Sequence, residues 1–389
     1  MADHDLAGAK PVSLLTGFLG SGKTTVLNHL LRHPDLARTV VVINEFGEIG
    51  LDHELVEAAT ENLVLLQSGC LCCTIRGDFV ETLHNLVDRV ERGEIDGFDR
   101  VVIETTGLAD PAPILHTLMT DSFIAHTFRL DGVIVTVDAA AGAATLDAQD
   151  EAVKQAAMAD RILLTKTDLV EPDAVEALQA RLRVLNPGAP IIRAHNGAVE
   201  PSRLLNAGLY NPKSKSLDVQ TWLNAEAYGG PDQHHAHGHH HGHDHSHHHG
   251  HQHHEGDVHD HHHHHDHEHD VNRHDDRISA VTYTVDEPIG ADVFDKWLET
   301  LMLLRGPNIL RMKGIVNVEG APAPFVLHGV QHIFHPPVVL RNWPSHDRRS
   351  RIVLIGRDLT DDFLKQSFSF LGSGHQRQHD HHASTEHAA

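Results

Sequence analysis

Residues 17–24 read Gly17-Phe18-Leu19-Gly20-Ser21-Gly22-Lys23-Thr24, and this octet decides the fold. It matches the pattern G-x-x-x-x-G-K-S/T. The apolar run Pro11 to Thr16 precedes it and a helical pattern, Thr25 to Arg32, follows, so the glycines fall at a strand-to-helix turn. There the glycines let backbone N–H groups wrap a chain of phosphates, and the helix N-terminus adds a positive dipole end. At this spacing Lys23 reaches the β- and γ-phosphates and the Thr24 hydroxyl is placed to ligate Mg²⁺.

Working outward, apolar runs alternate with helical spacing. Thr39 to Asn44 reads as a second strand and leads into Glu45-Phe46-Gly47-Glu48-Ile49-Gly50-Leu51-Asp52. Ligands of a parallel sheet gather at the carboxyl ends of its strands. This acidic loop is therefore expected to be a switch that senses Mg²⁺ and the γ-phosphate. Asn62 to Leu66 is a third strand, and helical spacing follows at Phe79, Leu83, Leu86, Val87 and Val90. Arg100 to Ile103 ends in Glu104-Thr105-Thr106-Gly107, an acid at the tip of an apolar strand, where such proteins hold magnesium. Asp131 to Asp138 is a further buried strand, Leu146 to Asp160 is helical, and Arg161 to Leu164 leads into Thr165-Lys166-Thr167-Asp168. An Asp at that point can accept two hydrogen bonds from guanine, a pair that adenine cannot supply. The alternation through about Arg193 predicts an open α/β sheet with helices on both faces.

Between the second and fourth of these strands lies Gly69-Cys70-Leu71-Cys72-Cys73, which holds all 3 cysteines of the 389-residue chain. Three thiolates suit a soft or borderline ion, of which Zn²⁺ is the most available. A closed structural zinc site has four protein ligands. Here the fourth must be a carboxylate, a histidine, water or a group on a partner, and Glu45 and Glu48 are the nearest acids of the switch loop. A site one cysteine short suits delivery better than permanent storage.

Composition narrows the classes further. A formal charge of −23 argues against nucleic acid as a main partner. No apolar run approaches the roughly 20 residues needed to span a bilayer. Three clustered cysteines cannot build a disulfide framework, and the start, Met1-Ala2-Asp3-His4-Asp5, lacks a signal-peptide layout. The expectation is a cytoplasmic protein. Of the 40 histidines, 23 lie between His234 and His274 among Asp, Glu and Gly. Such a segment cannot bury enough surface to offset its chain entropy, so it is expected to be disordered and to bind metal.

After the tract the pattern is β-α-β-β-β-α. The strands are Ile278 to Val285, Leu310 to Val318, Phe325 to His335 and Arg351 to Ile355, and the helices are Ala291 to Leu304 and a last one near Asp361 to Phe370. This predicts a small α+β domain in which His328, His332 and His335 are structural and not ligands. The division is then a tail over 1–10, a P-loop domain over 11–228, a His-rich linker over 229–276, the α+β domain over 277–372 and a tail over 373–389.

With the phosphate loop, the Cys-x-Cys-Cys loop, the Glu-Thr-Thr-Gly strand end and the late histidine tract in hand, the chain resembles the CobW family of P-loop GTPases. Its members are known as zinc-regulated GTPase metalloprotein activators or metallochaperones. The resemblance runs from Pro11 to about Leu371 and is most specific at Gly69 to Cys73. It implies a GTPase in which Gly17, Gly20, Ser21, Gly22, Lys23, Thr24 and Thr25 bind GTP, with the base read by Thr165, Lys166 and Asp168. Thr165 stands where many GTPases have Asn. Lys23, Thr24 and Glu104 would serve catalysis, with Thr24 and Glu104 on magnesium. Cys70, Cys72 and Cys73, with Glu45 and Glu48, would hold zinc for client metalloproteins. Cobalt and nickel are alternative cargoes, a His-rich metal buffer is an alternative of another class, and homo-oligomerisation stays open.

Overall fold

The structure is a computed structural model that describes residues 8–45, 63–67, 75–206, 277–334, 338–340, 342–343, 346–360 and 362–371. The loop carrying Cys70, Cys72 and Cys73, the residue Glu48 and the histidine tract lie outside the described residues, as do His335 and residues 1–7 and 372–389.

Among the described residues seven strands form the first sheet: β1 (Lys10–Gly17), β2 (Thr39–Glu45), β3 (Leu63–Gln67), β4 (Arg100–Thr105), β5 (Phe128–Asp138), β6 (Arg161–Thr165) and β7 (Ile191–Arg193). Their order is β3-β2-β4-β1-β5-β6-β7 and every pairing is parallel. The side chains explain why these stretches are strands. Val40 and Val42 point into one core and Val41 and Ile43 into the other, so β2 is buried on both faces, as a parallel sheet requires. One core is closed by α1 (Lys23–Leu31), through Val26, Leu27 and Leu30. The other is closed by α2 (Ile75–Glu91), α3 (Ala112–Thr120), α6 (Asp150–Met158) and α7 (Pro172–Leu185). Between them run the shorter α4 (Ser122–Thr127) and α5 (Gly142–Ala148), and α8 (Pro201–Leu204) follows β7.

The order fixes where a ligand belongs. From β1 the chain crosses to β2 on one side, whereas from β4 it crosses to β5 on the other. The sheet therefore reverses between β1 and β4, and the crevice at their carboxyl ends is where α/β sheets bind ligands. The helical material expected over 146–160 divides between α5 and α6, because Gln149 is extended at φ −132° and breaks the run.

The second sheet is antiparallel: β8 (Ile278–Val285), β9 (Ile309–Val316), β10 (Phe325–Val330), β11 (Ile333–Phe334), β12 (Val338–Val339) and β13 (Ser350–Arg357). Its order is β11-β10-β9-β13-β8, with β12 on β10. One face is covered by α9 (Ala291–Arg305), through Phe294, Trp297 and Leu301, and by the helix over 362–371, through Leu364, Phe368 and Leu371. The single strand expected over 325–335 is instead a hairpin. Gln331 adopts φ 53° and turns the chain, so Val330 pairs back with Ile333. Neither Gln331 nor His332 is a turn-forming residue type, which is why the sequence reads as continuous there.

The other face packs on the first domain. Ile278, Leu310, Val330 and Ile355 join its core. At the centre Asp160 accepts from Arg311 Nη2 at 2.8 and 2.7 Å and pairs with Lys313 Nζ at 2.6 Å; Asp160 and Arg311 are buried and Lys313 is mostly so. Burial alone would push the Asp160 carboxyl up, but Arg311, Lys313 and His328 together hold it well below the usual range. Burial pulls the Lys313 ammonium below its ordinary value against the attraction of Asp160, and Arg311 and Arg161 add to that pull. One carboxylate faces several cations, so acid and base both titrate low. His328 stands on this face, opposite Lys313, and His332 lies in the turn that follows.

Candidate nucleotide site

The phosphate loop closes on itself through its own side chains. Gly22 caps α1 at φ 89°, a left-handed conformation that glycine adopts without a Cβ penalty. Lys23 is buried, and its Nζ donates to the carbonyls of Gly17 at 2.9 Å and Phe18 at 3.2 Å, which keeps the cation inside the loop. Ser21 Oγ and the Thr136 hydroxyl on β5 are 2.7 Å apart. The loop is thus bolted to the strand beside β1.

Thr24 opens α1 and Glu104 stands near the end of β4, across the reversal point. The Thr24 hydroxyl donates to Glu104 Oε1 at 3.2 Å, and Glu104 is 6% exposed. A hydroxyl and a carboxylate, both hard oxygen donors, converge where the sequence places the magnesium ligands, and that donor set fits a Mg²⁺ ion. Thr105 donates to Thr16 Oγ1 at 2.7 Å and fixes β4 against β1 one residue further on. Beyond Glu104 the chain crosses the mouth of the loop. A Cβ on Gly107 would lie 2.5 Å from the Leu19 backbone nitrogen, so only glycine allows this approach.

The segment expected to read the base reaches the same loop from β6. Thr165 is buried, and its hydroxyl donates to Ser21 O at 2.8 Å and Val137 O at 3.3 Å, so this position ties the segment to the phosphate loop. Lys166, at φ 54°, donates to Gly20 O at 2.8 Å and to Asp138 Oδ2 at 2.6 Å. Asp168 follows in a turn. Thr25, on α1, meets the turn after β7, where Gly197 lies against its backbone.

Two contributors escaped the sequence reading. Asp138 at the carboxyl end of β5 anchors Lys166 and also accepts from Ala140 N at 2.7 Å. Its signal is an acid at the tip of an apolar strand, the same one that marks Glu104. The turn after β7 carries an Asn196-Gly197 pair, a turn signal at another carboxyl end.

For the residues expected to hold zinc the backbone gives one placement. Glu45 ends β2 opposite Gln67, the last residue of β3, and Ile43 of β2 pairs with Glu104 of β4. The segment leading to Cys70 and the segment leading to Glu48 therefore leave the sheet from neighbouring strand ends. Strands lie about 4.8 Å apart, so β3 ends about 14 Å from β1, three strands along the same edge. Among the described residues no group of three or more His, Cys, Asp or Glu is placed to hold a metal ion.

Residues 11–193 match the nucleotide-binding domain of the CobW/HypB/UreG family, and residues 278–371 match the cobalamin synthesis protein CobW C-terminal domain. The zinc chaperone YjiA of Escherichia coli is 30% identical over 360 residues, covering 92% of this chain and 98% of that protein. The chain belongs to the CobW/HypB/UreG family. Membership makes it a GTPase. The zinc-regulated GTPase metalloprotein activator 1 of Schizosaccharomyces pombe is 27% identical over 380 residues, with 92% and 85% of the two chains covered. The crystal structure of Zn(II)-bound YjiA GTPase from Escherichia coli superposes with a TM-score of 0.63 at 28% identity, covering 93% of this chain and 99% of that one. Among the described residues no helix is long and apolar enough to cross a membrane.

Proposed function

We propose that this chain is a GTP-driven zinc chaperone of the cytoplasm that loads client metalloproteins. Its relatives are named zinc chaperones, and a solved relative carries zinc. The observation that carries the reading is the shared strand edge. The segments leading to the cysteines and to Glu48 leave β3 and β2 side by side, and Glu104, which meets Thr24, stands near the end of the adjoining β4. A change at the γ-phosphate then has a short route to the zinc ligands, by way of the loop from Glu45 to Asp52.

In this cycle Gly17, Gly20, Ser21, Gly22, Lys23, Thr24 and Thr25 hold the phosphates. Thr165 keeps the base segment on the phosphate loop, Lys166 braces it against Asp138, and Asp168 accepts from guanine. Thr24 and Glu104 would hold magnesium, which supplies charge neutralisation at the β- and γ-phosphates. Cys70, Cys72 and Cys73 bind the zinc, with Glu45 or Glu48 near enough in sequence and sheet order to join them. The γ-phosphate orders the switch, hydrolysis releases it, and zinc affinity changes with it. The histidine tract binds metal as well, as a source for the cysteines or as a store.

Two variants test the reading. Cys72→Ser should abolish any effect of zinc on GTP turnover in the full chain. Deleting 234–274 should leave hydrolysis and one tight zinc site in place. Loss of the tight site with the tract would make the chain a metal buffer, and equal turnover with and without zinc in wild type would remove the coupling. Cobalt and nickel titrated in parallel with zinc, under reducing conditions, settle the cargo.

A further inference from the structure

The loop that leaves β4 after Glu104 is held from three directions, two of which lead to the C-terminal domain. On the nucleotide side Gly107 abuts Leu19. Behind it Gln155 of α6, 1% exposed, donates its Nε2 to the carbonyls of Gly107 at 3.3 Å and Ala109 at 3.0 Å. At its end Asp110 divides its carboxylate. Oδ1 accepts from Ala112 N at 2.9 Å and opens α3, whereas Oδ2 accepts from Gln331 Nε2 at 3.3 Å.

Gln331 belongs to the turn between β10 and β11. It is held at φ 53°, a conformation that a non-glycine residue keeps only where its surroundings enforce it. The same turn is docked on α3, because a ring nitrogen of His116 lies 3.3 Å from Val330 O. The helix that carries Gln155 is also gripped by the second domain, since Arg357 Nη1 donates to Asp150 at its first residue at 2.8 Å. Asp160, two residues beyond its end, takes Arg311 and Lys313.

We propose that the C-terminal domain positions the loop after Glu104 for GTP hydrolysis, with Gln331 acting on Asp110 and Gln155 carrying the constraint from α6 to Gly107. Both are positioning residues, since each acts through the loop and not on the nucleotide. The proposal deepens the GTPase reading and rests on it. Enzymatic hydrolysis of a nucleotide is almost wholly positioning and electrostatics, so a small displacement beside the phosphates is expensive in rate. The second domain thereby becomes part of the hydrolytic machinery, and a partner that moved the Gln331 turn would alter turnover.

The test reverses the polarity of one bond in the full-length protein. Gln331→Glu places a second carboxylate against Asp110, so kcat for Mg²⁺·GTP should fall by about fivefold or more, with KM changed by less than about twofold. Adding Asp110→Asn, whose amide donates to the new carboxylate while its oxygen still caps Ala112, should return kcat to within about twofold of wild type. Gln155→Met, which keeps length and removes the donor, should lower kcat in the same way. An unchanged kcat in Gln331→Glu would overturn the proposal. So would a double variant no better than the single one, or a loss confined to KM. A wild type that hydrolysed no GTP would instead overturn the GTPase reading, and the proposal with it.

Discussion

Replacing Asp160 by asparagine probes the joint between the two sheets. The residue is 7% exposed and its carboxylate serves four contacts: Arg311 Nη2 on both oxygens, Lys313 Nζ on Oδ1, and the Val133 amide on Oδ2 at 2.9 Å. An amide of the same shape keeps one acceptor, but its NH₂ faces Arg311 in either orientation, with Lys313 or the Val133 N–H beside it. Arg311, 2% exposed, then stays buried without a counter-charge. Breaking a buried pair in this way costs about 3–5 kcal/mol, far above the roughly 1 kcal/mol of an exposed ion pair. At about 1.4 kcal/mol per tenfold, the ratio of folded to unfolded chain falls by two to nearly four powers of ten. Lys313 sets the pH dependence. Burial already lowers its pKa, so the unfolded chain binds more protons than the folded one between the folded value and 10.5, and stability there rises with pH. The penalty of the Asp160→Asn substitution should therefore shrink as Lys313 sheds its proton. Urea unfolding followed by tryptophan fluorescence at pH 7 and pH 9 measures both quantities. A loss under about 1 kcal/mol at pH 7, or a penalty that grows with pH, would refute the reasoning.

Three further outcomes are expected. Gly107→Ala places a methyl 2.5 Å from the Leu19 nitrogen, so the loop must move off the phosphate loop, and kcat should drop about 100-fold while circular dichroism stays native. Asp168→Asn presents a donor to the guanine amine, so affinity should move from GTP toward XTP in competition titrations; unchanged GTP preference would remove Asp168 from base reading. On acidification Asp347 adds to the loss of stability. Hydrogen bonds from Arg349 hold it at about 2 against an ordinary 3.8, so its contribution is present above the ordinary value and disappears as pH falls toward 2. Asp347→Asn should flatten an acid unfolding curve over that window.

The first sheet was legible because its strands are buried on both faces and read as unbroken apolar runs, such as Val40 to Ile43. The phosphate loop was legible for another reason: its chemistry is local, with every group it needs inside eight residues. What stayed hidden depends on partners far away in the chain. Arg311 and Lys313 look like ordinary polar positions of a half-exposed strand until the fold brings Asp160, about 150 residues earlier, against them. Gln155 is a plain polar residue on an amphipathic helix, and only the fold shows the carbonyls of Gly107 and Ala109 at its amide. Asp138 carries a readable signal at its strand tip, but nothing local says that Lys166 will reach it. The hairpin at Gln331 has none, since tertiary contacts with α3 impose a backbone that its residue types do not favour.

The central claim is that nucleotide state and zinc affinity are linked, and a zinc titration of the full-length protein under reducing conditions tests it directly. It would be run with GDP and with a non-hydrolysable GTP analogue. Linkage predicts zinc affinities that differ by at least about fivefold between the two states, with the same factor appearing in nucleotide affinity when zinc is added. Equal zinc affinity in both states would contradict the account.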